Sequence, residues 1–165
     1  MSKPNRENNY AFIDSQNLYL GVKNQGWKLD YRKFFRYLKD RYRVTKAIIF
    51  IGYIEANKPL YKFLEGIGYE LIFKETINAR GKTKGNVDAE LVLHTMHELY
   101  EGNFDKAVIV TGDGDFQCLV EYLKERDKLK GLVIPDHERY SSLLRQYNKL
   151  GVIEFVSRQR VKLEL

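Results

Sequence analysis

Two short segments of the sequence place carboxylates directly after an apolar run that is typical of a buried strand. The first segment ends in Asp14, with Asn17 three residues further on. The second continues from the apolar stretch 107–110 through two glycines that alternate with Asp113 and Asp115. Glycine permits the positive φ angles of a tight turn and leaves space for a ligand beside the carboxylates. Capping of the following helix accounts for Asp115, but it does not account for Asp113.

A third acidic segment begins a predicted helix, with Asn86 as the expected N-cap and Asp88 in the first turn. Taken singly, each residue has an ordinary structural explanation. Asp14 can be a turn residue and Asn17 an N-cap, and the helix dipole stabilises an aspartate at the position of Asp88. Taken together, three acidic segments at three element boundaries indicate one site, because the carboxyl ends of parallel strands meet at one sheet edge.

Carboxylates that meet at a sheet edge need a counter-ion. Two such charges about 4 Å apart repel by roughly 4 kcal/mol at an effective dielectric constant of about 20. A divalent cation removes this repulsion, and Mg²⁺ prefers a few carboxylates together with water and phosphate oxygens. We assign Asp14 and Asp113 as primary metal ligands and Asp115 as a direct or water-mediated ligand. Asp88 is assigned as a ligand of a second metal ion or as a residue that orients water.

Other sites that use these residue types fit the sequence less well. An EF-hand loop needs a glycine at its sixth position, where this chain has Cys118. A metal site of the Asp-x-Ser-x-Ser type fails because Gln16 and Leu18 stand at the serine positions, and a phosphotransfer aspartate would need an acid at Gln16. One cysteine and three scattered histidines give no recognised zinc spacing, and the apolar neighbours of Cys118 predict a core residue.

The elements that must position these residues follow from apolar periodicity and from glycine and proline punctuation. The predicted strands are 10–14, 46–54, 70–73, 107–110, 131–134 and 152–156, and the predicted helices are 16–23, 31–42, 59–64, 87–100, 116–125 and 140–147. Continuous apolar strands are expected where helices cover both faces of a parallel sheet. The sequence therefore predicts an α/β fold, a three-layer α/β/α sandwich with a mainly parallel central sheet.

The predicted helix 87–100 has an apolar side when its residues are placed at 100° intervals, and we expect this side to face the core. Its members are Ala89, Val92, Leu93, Met96, Leu99 and Tyr100. Asp88 lies at the edge of this stripe, where it can point toward the strand ends. His94 and His97 are predicted to lie in solvent.

Composition sets the outer limits of these predictions. The 165 residues, of which 44% are hydrophobic, predict a flexible tail over residues 1–8 and a single domain over residues 9–165. The sequence has neither a signal-peptide core nor an apolar run long enough to cross a membrane, so we expect a cytoplasmic protein with no membrane partner. A net charge of +6 favours a polyanionic partner. A homodimer is left open.

Two groups of cations are candidates for contacts with such a partner. Arg80, Lys82 and Lys84, called the basic loop below, lie just before Asp88 and are predicted to bind substrate phosphates. A second group recurs at helical spacing and is more typical of a solvated helix face. This second group consists of Arg32, Arg36, Lys39 and Arg43.

The three acidic segments together resemble the NYN domain family of PIN-like ribonucleases, in particular its LabA-like group. The family pattern runs hydrophobic-Asp-Gly-x-Asn, then Lys-Gly-x-x-Asp before a helix, then Ser/Thr-Gly-Asp-Gly-Asp-Phe, and the likeness spans Asn9 to Val156. The resemblance implies a Rossmann-like PIN fold and hydrolysis of RNA phosphodiester bonds with Mg²⁺ or Mn²⁺, with single-stranded RNA the expected substrate. It places the acidic positions of the family, which are catalytic and metal-binding, on Asp14, Asp88, Asp113 and Asp115.

The resemblance also places the strand-end asparagine of the family on Asn17, and two positions depart from its pattern. Ser15 replaces the usual glycine, is small enough to be tolerated and is predicted to contact substrate phosphate together with Asn17. His94 stands where many relatives carry another acid, so a second metal site is expected to be weaker. These departures keep open an alternative, a non-catalytic RNA-binding module with a PIN-like fold.

Overall fold

The computed structural model describes residues 6–74, 77–79, 82–84 and 87–165, and it describes side chains outside 75–86. The strands are β1 Asn9–Asp14, β2 Val44–Gly52, β3 Glu70–Lys74, β4 Ile77–Ala79, β5 Lys82–Lys84, β6 Ala107–Val110, β7 Leu129–Ile134 and β8 Ile153–Phe155. The α-helices are α1 Ser15–Lys23, α2 Tyr31–Tyr42, α3 Lys58–Ile67, α4 Asp88–Tyr100, α5 Gln117–Glu125 and α6 Arg160–Leu163. Short 3-10 helices are formed by Glu55–Asn57, Gly114–Phe116, Ser142–Leu150 and Val156–Gln159.

Six strands form one sheet in the order β3-β2-β1-β6-β7-β8, and every neighbouring pair is parallel. From β1, the sheet continues through β2 and β3 in one direction. From β6, it continues through β7 and β8 in the other direction. The strand order therefore reverses between β1 and β6. In open α/β sheets, ligands bind at this reversal, beyond the carboxyl ends of the strands.

Helices cover both faces of the sheet, which confirms the predicted three-layer α/β/α architecture. Side chains alternate along β1, so Ala11 and Ile13 join one buried cluster and Phe12 joins the other. The first cluster contains Leu38 of α2, and the second contains Leu123 of α5. Because both faces are buried, the central strands are continuous apolar runs, and this pattern made them recognisable from sequence.

Several element predictions needed correction. The loop predicted around 78–86 contains an antiparallel pair, β4 with β5, that stands apart from the central sheet. The backbones of these two strands are described, whereas Arg80 and the expected N-cap Asn86 lie outside the described residues. The last predicted helix is a 3-10 helix, Ser142–Leu150, and the short helix α6 was not predicted.

The predicted core face of α4 was only partly right: three of its six residues pack against the second buried cluster, and the others do not. The buried residues of α4 are Leu91 and Thr95, whereas Leu93 is 72% exposed and Tyr100 is 89% exposed. Apolar residues occur around most of this helix, so a single best-fitting stripe does not determine its orientation. The i, i+4 series through Leu91 and Thr95 packs inward, and Thr95 satisfies its buried hydroxyl by donating to the Leu91 carbonyl oxygen at 2.7 Å.

Three smaller predictions concern the cysteine, the membrane and the N-terminal tail. Cys118 is exposed, so its prediction as a core residue was wrong. No described helix has the length and apolarity needed to cross a membrane. The flexible tail stays a prediction: residues 1–5 are outside the described part, while Glu7 pairs with Lys130 at 2.9 Å and the Asn8 amide donates to Asp105 at 2.7 Å.

Candidate metal centre

Three of the four predicted aspartates meet at the reversal of strand order. One carboxylate oxygen from each of Asp14, Asp88 and Asp113 lies within 4.8 Å of the others. Asp14 follows β1, Asp113 follows β6 and Asp88 begins α4, so three separate segments supply the group. Below, these residues are called the aspartate group. Asp14 is only 5% exposed, and the other two are partly buried.

Burial sets the electrostatics of Asp14. Loss of solvation, with smaller contributions from the neighbouring charges of Asp88 and Asp113, raises the pKa of Asp14 to about 6. Hydrogen bonds oppose this effect, because the backbone amide of Asn17 donates to Oδ1 at 3.3 Å and the Thr111 hydroxyl donates to Oδ2 at 3.0 Å. The balance leaves a buried carboxylate whose negative charge is unfavourable in the protein without a cation.

The turn after β6 is held to the turn after β1 by uncharged groups. The Gly112 amide donates to Oδ1 of Asn17 at 2.7 Å, and the Asp113 amide donates to the Thr111 hydroxyl at 3.1 Å. A Cβ atom at Gly112 would lie 3.2 Å from Cβ of Tyr140, so the close approach favours glycine. Asn17 therefore positions the aspartate group by joining its two strand-end segments.

Two further predicted site residues that the structure describes, Asp115 and Ser15, are not members of the aspartate group. Asp115 is exposed, and the capping role predicted for it belongs to Asp113, whose Oδ1 accepts the Asp115 amide at 2.9 Å. Ser15 lines a neighbouring pocket. In the basic loop, Lys82 and Lys84 lie on β5, and their side chains are outside the described part of the structure, as is Arg80.

Two residues beside the aspartate group were not predicted. Asp136 follows β7 after Pro135, is 5% exposed, and lines a cavity of about 350 Å³ together with all three members of the group. Arg139 is the one cation among the described residues that line this cavity. Asp136 could have been found, because it follows a buried strand in the same way as Asp14. Arg139 lies in an irregular segment and gave no comparable signal.

Packing of α1 helps to form this cavity. Gly21 faces Pro135 so closely that a Cβ atom at Gly21 would lie 2.5 Å from the proline Cβ. A glycine at this point therefore lets α1 approach the segment that carries Asp136. The helix and this segment form facing walls of the cavity next to the aspartate group.

The residues present fit a divalent metal ion. Carboxylate oxygens are the donors that Mg²⁺ and Mn²⁺ prefer in proteins, and three of them converge here. The burial of Asp14 also fits a cation, since a neighbouring positive charge would offset the unfavourable burial that raises the pKa of this carboxyl. Asp14, Asp88 and Asp113 are the residues that would hold the ion.

His94, the second departure from the family pattern, belongs to a different part of α4. It lies six residues after Asp88, which is about 9 Å along the helix axis. Its ring packs against Phe50 with the centroids 5.7 Å apart, and Nε2 lies 3.5 Å from Oε1 of Glu98. The prediction that His94 lies in solvent was therefore wrong, because the ring is half-buried between α4 and the sheet. His97 is exposed, as predicted.

Comparisons with known proteins agree with this fold. The profile of the NYN domain matches residues 10–154, and the chain therefore belongs to the NYN domain family, which is PIN-like. The chain is similar to the low amplitude and bright protein LabA of Synechococcus elongatus, with 23% identity over 135 residues that span 70% of this chain and 67% of the relative. A Vibrio parahaemolyticus protein of unknown function has the same fold, with a TM-score of 0.79, 23% identity and complete coverage of both chains.

Proposed function

We propose that this protein is a metal-dependent ribonuclease that hydrolyses RNA phosphodiester bonds at the aspartate group, acting as an endonuclease on single-stranded RNA. The observation that carries the proposal is the convergence of Asp14, Asp88 and Asp113 within 4.8 Å at the strand-order reversal. Membership of a PIN-like nuclease family supports the same reaction class. A Mg²⁺ or Mn²⁺ ion held there would polarise the phosphate and lower the pKa of water for attack on phosphorus.

The residues around this ion have separate roles in binding it and in positioning its ligands. Asp14 and Asp113 bind the ion from the two central strands, and Asp88 binds from α4 or orients the attacking water. Asp136 lines the same cavity and Asp115 lies two residues after Asp113, and we assign both to contacts through water. The Thr111 hydroxyl, which bonds both Asp14 and the Asp113 amide, keeps these two carboxylates in register.

Substrate phosphates need positive or hydrogen-bonding groups beside this acidic centre. Arg139 lines the same cavity and is exposed, so its guanidinium is placed to pair with a phosphate oxygen. The basic loop and Ser15 are further candidates, and the loop immediately precedes Asp88 in the chain. Asn17 has its side-chain oxygen engaged by Gly112, which leaves its NH₂ group for substrate.

The proposal is tested by incubating an end-labelled single-stranded RNA with the protein in Mn²⁺ and, separately, in EDTA. Attack by water instead of the ribose 2′-hydroxyl gives products with 5′-phosphate and 3′-hydroxyl ends. We expect such products with Mn²⁺ from the wild type, and none from Asp14→Asn. Asp127→Asn is the matched control, because Asp127 is a 92% exposed carboxylate that belongs neither to the group nor to the lining of its cavity, and asparagine tolerates its positive φ.

Two results would contradict the proposal in different ways. Cyclic phosphate ends, or cleavage that survives both EDTA and Asp14→Asn, would mean that another site or a contaminant cuts the RNA. RNA binding without cleavage in any metal would favour a non-catalytic RNA-binding module instead. His94→Asp, which restores the acid of the family pattern, would then show whether that departure is responsible.

A further inference from the structure

A second pocket lies beside the aspartate group, with a volume of about 510 Å³. Among the described residues, it is lined by Ser15, Gln16, Tyr19, Tyr31, Phe50, Ile51, Gly52, Ile54, Asn57, Leu60 and Val87. Gln16 and Val87 also line the cavity of the aspartate group, so the two spaces share a wall. A single RNA strand that passes over this shared wall would contact both the cavity and the pocket.

The chemistry of this pocket differs from that of the acidic cavity. Three of its residues expose large apolar surfaces: Tyr19 is 53% exposed, Ile54 is 46% exposed and Leu60 is 40% exposed. The described lining contains no lysine, arginine, aspartate or glutamate. A phosphate therefore has no ionic partner among these residues, whereas a flat, uncharged ring would bury its faces against apolar walls.

A few polar groups are available to the edge of such a ring. The side chain of Asn57 offers both a donor and an acceptor, and the Tyr31 hydroxyl is a donor over the whole physiological range. Burial, with a smaller contribution from Tyr19, raises the pKa of Tyr31 to about 12. The Lys23 ammonium lies over the Tyr19 ring, 5.5 Å from its centre, so a cation is available beside this ring for a polyanion's backbone.

From this arrangement we infer that the pocket binds a single unpaired nucleobase of the RNA, the base of a nucleotide next to the phosphate at the aspartate group. The inference rests on the proposed function for the position of that phosphate. Tyr19 is the stacking surface, Ile54 and Leu60 form the apolar wall, and Asn57 contacts the base edge. Single-stranded RNA is recognised by this combination, because unstacked bases can be turned outward onto aromatic rings.

The test asks whether removing one base from the RNA and removing the Tyr19 ring from the protein weaken binding through the same contact. A short fluorescein-labelled single-stranded RNA is compared with a series in which each position in turn is abasic. Binding is measured by anisotropy in EDTA, so the result does not depend on turnover. Removing the base that fills the pocket should weaken wild-type binding by about 5- to 10-fold, near the lower range for base–aromatic stacking.

Variants at Tyr19 identify where that base binds. Tyr19→Ala should bind the intact RNA about as weakly as the wild type binds the RNA that lacks the critical base. Removing that base should then cause no further loss of binding to Tyr19→Ala. Tyr19→Phe keeps the ring, so removing the base should weaken RNA binding to this variant as much as it does in the wild type. Tyr122→Ala is the control, because Tyr122 is an exposed tyrosine on α5 that stacks with Arg126 outside the pocket. Tyr19 is more than half exposed, so its replacement leaves the core intact.

The outcomes separate this inference from the proposed function. Equal binding of every abasic RNA, or penalties that persist unchanged in Tyr19→Ala, would overturn the nucleobase pocket even if the RNA is cleaved in Mn²⁺. Absence of RNA binding at low salt would overturn it as well. Binding that depends on one base only when Tyr19 is present, without cleavage in any metal, would support the nucleobase pocket and contradict the nuclease proposal.

Discussion

Replacing Asp14 with asparagine should make the metal-free protein more stable at neutral pH. Burial and neighbouring carboxylates raise the pKa of Asp14 from 3.8 to about 6, so the folded protein favours the protonated form. Each pKa unit corresponds to about 1.4 kcal/mol, and the difference of roughly two units corresponds to about 3 kcal/mol. Asparagine has nearly the same shape and no charge to bury, and it keeps an acceptor for the Asn17 amide.

The sign of the pH dependence follows from proton binding. Between pH 3.8 and about 6, the folded state holds a proton on Asp14 that the unfolded state has released. The contribution of Asp14 to stability is therefore fully present below about pH 3.8 and is lost as the pH rises through about 6. Asp14→Asn lacks this loss, so its stability relative to wild type should increase by up to about 3 kcal/mol from about pH 4 to about pH 7.

Urea unfolding in EDTA at a series of pH values measures this difference directly. Comparing the two proteins at each pH removes most contributions of other titrating groups, and Asp127→Asn should show no such divergence from wild type. Saturating Mn²⁺ should close most of this gap in stability, because the ion binds the folded wild type and not the variant. Parallel stability curves for wild type and Asp14→Asn in EDTA would refute the reasoning, since Asp14 would then carry no burial penalty.

Three further predictions concern the metal, the basic loop and the core. Saturating Mn²⁺ at about 100 times its Kd should stabilise the wild type by about 2.7 kcal/mol in thermal melts. Asp113→Asn should lose this shift, and an unchanged response would mean that the site is misassigned. Alanine at all three basic-loop cations should flatten the slope of log K for RNA against log salt by up to about 0.7 per lost contact, and an unchanged slope would exclude a phosphate clamp. Gly131→Ala should destabilise the fold by about 1–3 kcal/mol, because its Cβ would lie 2.6 Å from Cε1 of the buried Tyr42. Gly66→Ala, with open space around the added Cβ, is the control that should not lose stability.

The sheet could be predicted from sequence because its central strands are buried on both sides. Continuous apolar runs such as Ala107–Val110 carry that signal, and the rule that strand ends converge then brought Asp14 and Asp113 together. The same rule applied to β7 would have identified Asp136. Sequence patterns did not give the hairpin of β4 and β5, whose residues lack the apolar alternation of a strand packed on a core.

Helix orientation and local hydrogen bonding were less accessible. The apolar residues of α4 are numerous enough to fit several orientations, and its packing against the sheet decides which side is buried. The role of Thr111 depends on distances that no spacing rule contains, since its hydroxyl joins Asp14 to the Asp113 amide. Such neutral bonds decide the geometry of a charged site, yet they involve residue types that are common in any turn.

The position of Asp14 is itself an argument for function. An asparagine could accept the Asn17 amide on its oxygen and donate its NH₂ group to the Thr111 hydroxyl oxygen, without burying a charge. A carboxylate there is instead held near two others, Asp88 and Asp113, and its raised pKa shows that the folded protein disfavours its charge. Residues that oppose stability in this way are concentrated at sites where their chemistry is needed. The arrangement therefore favours a cation-binding role for the aspartate group over a purely structural one.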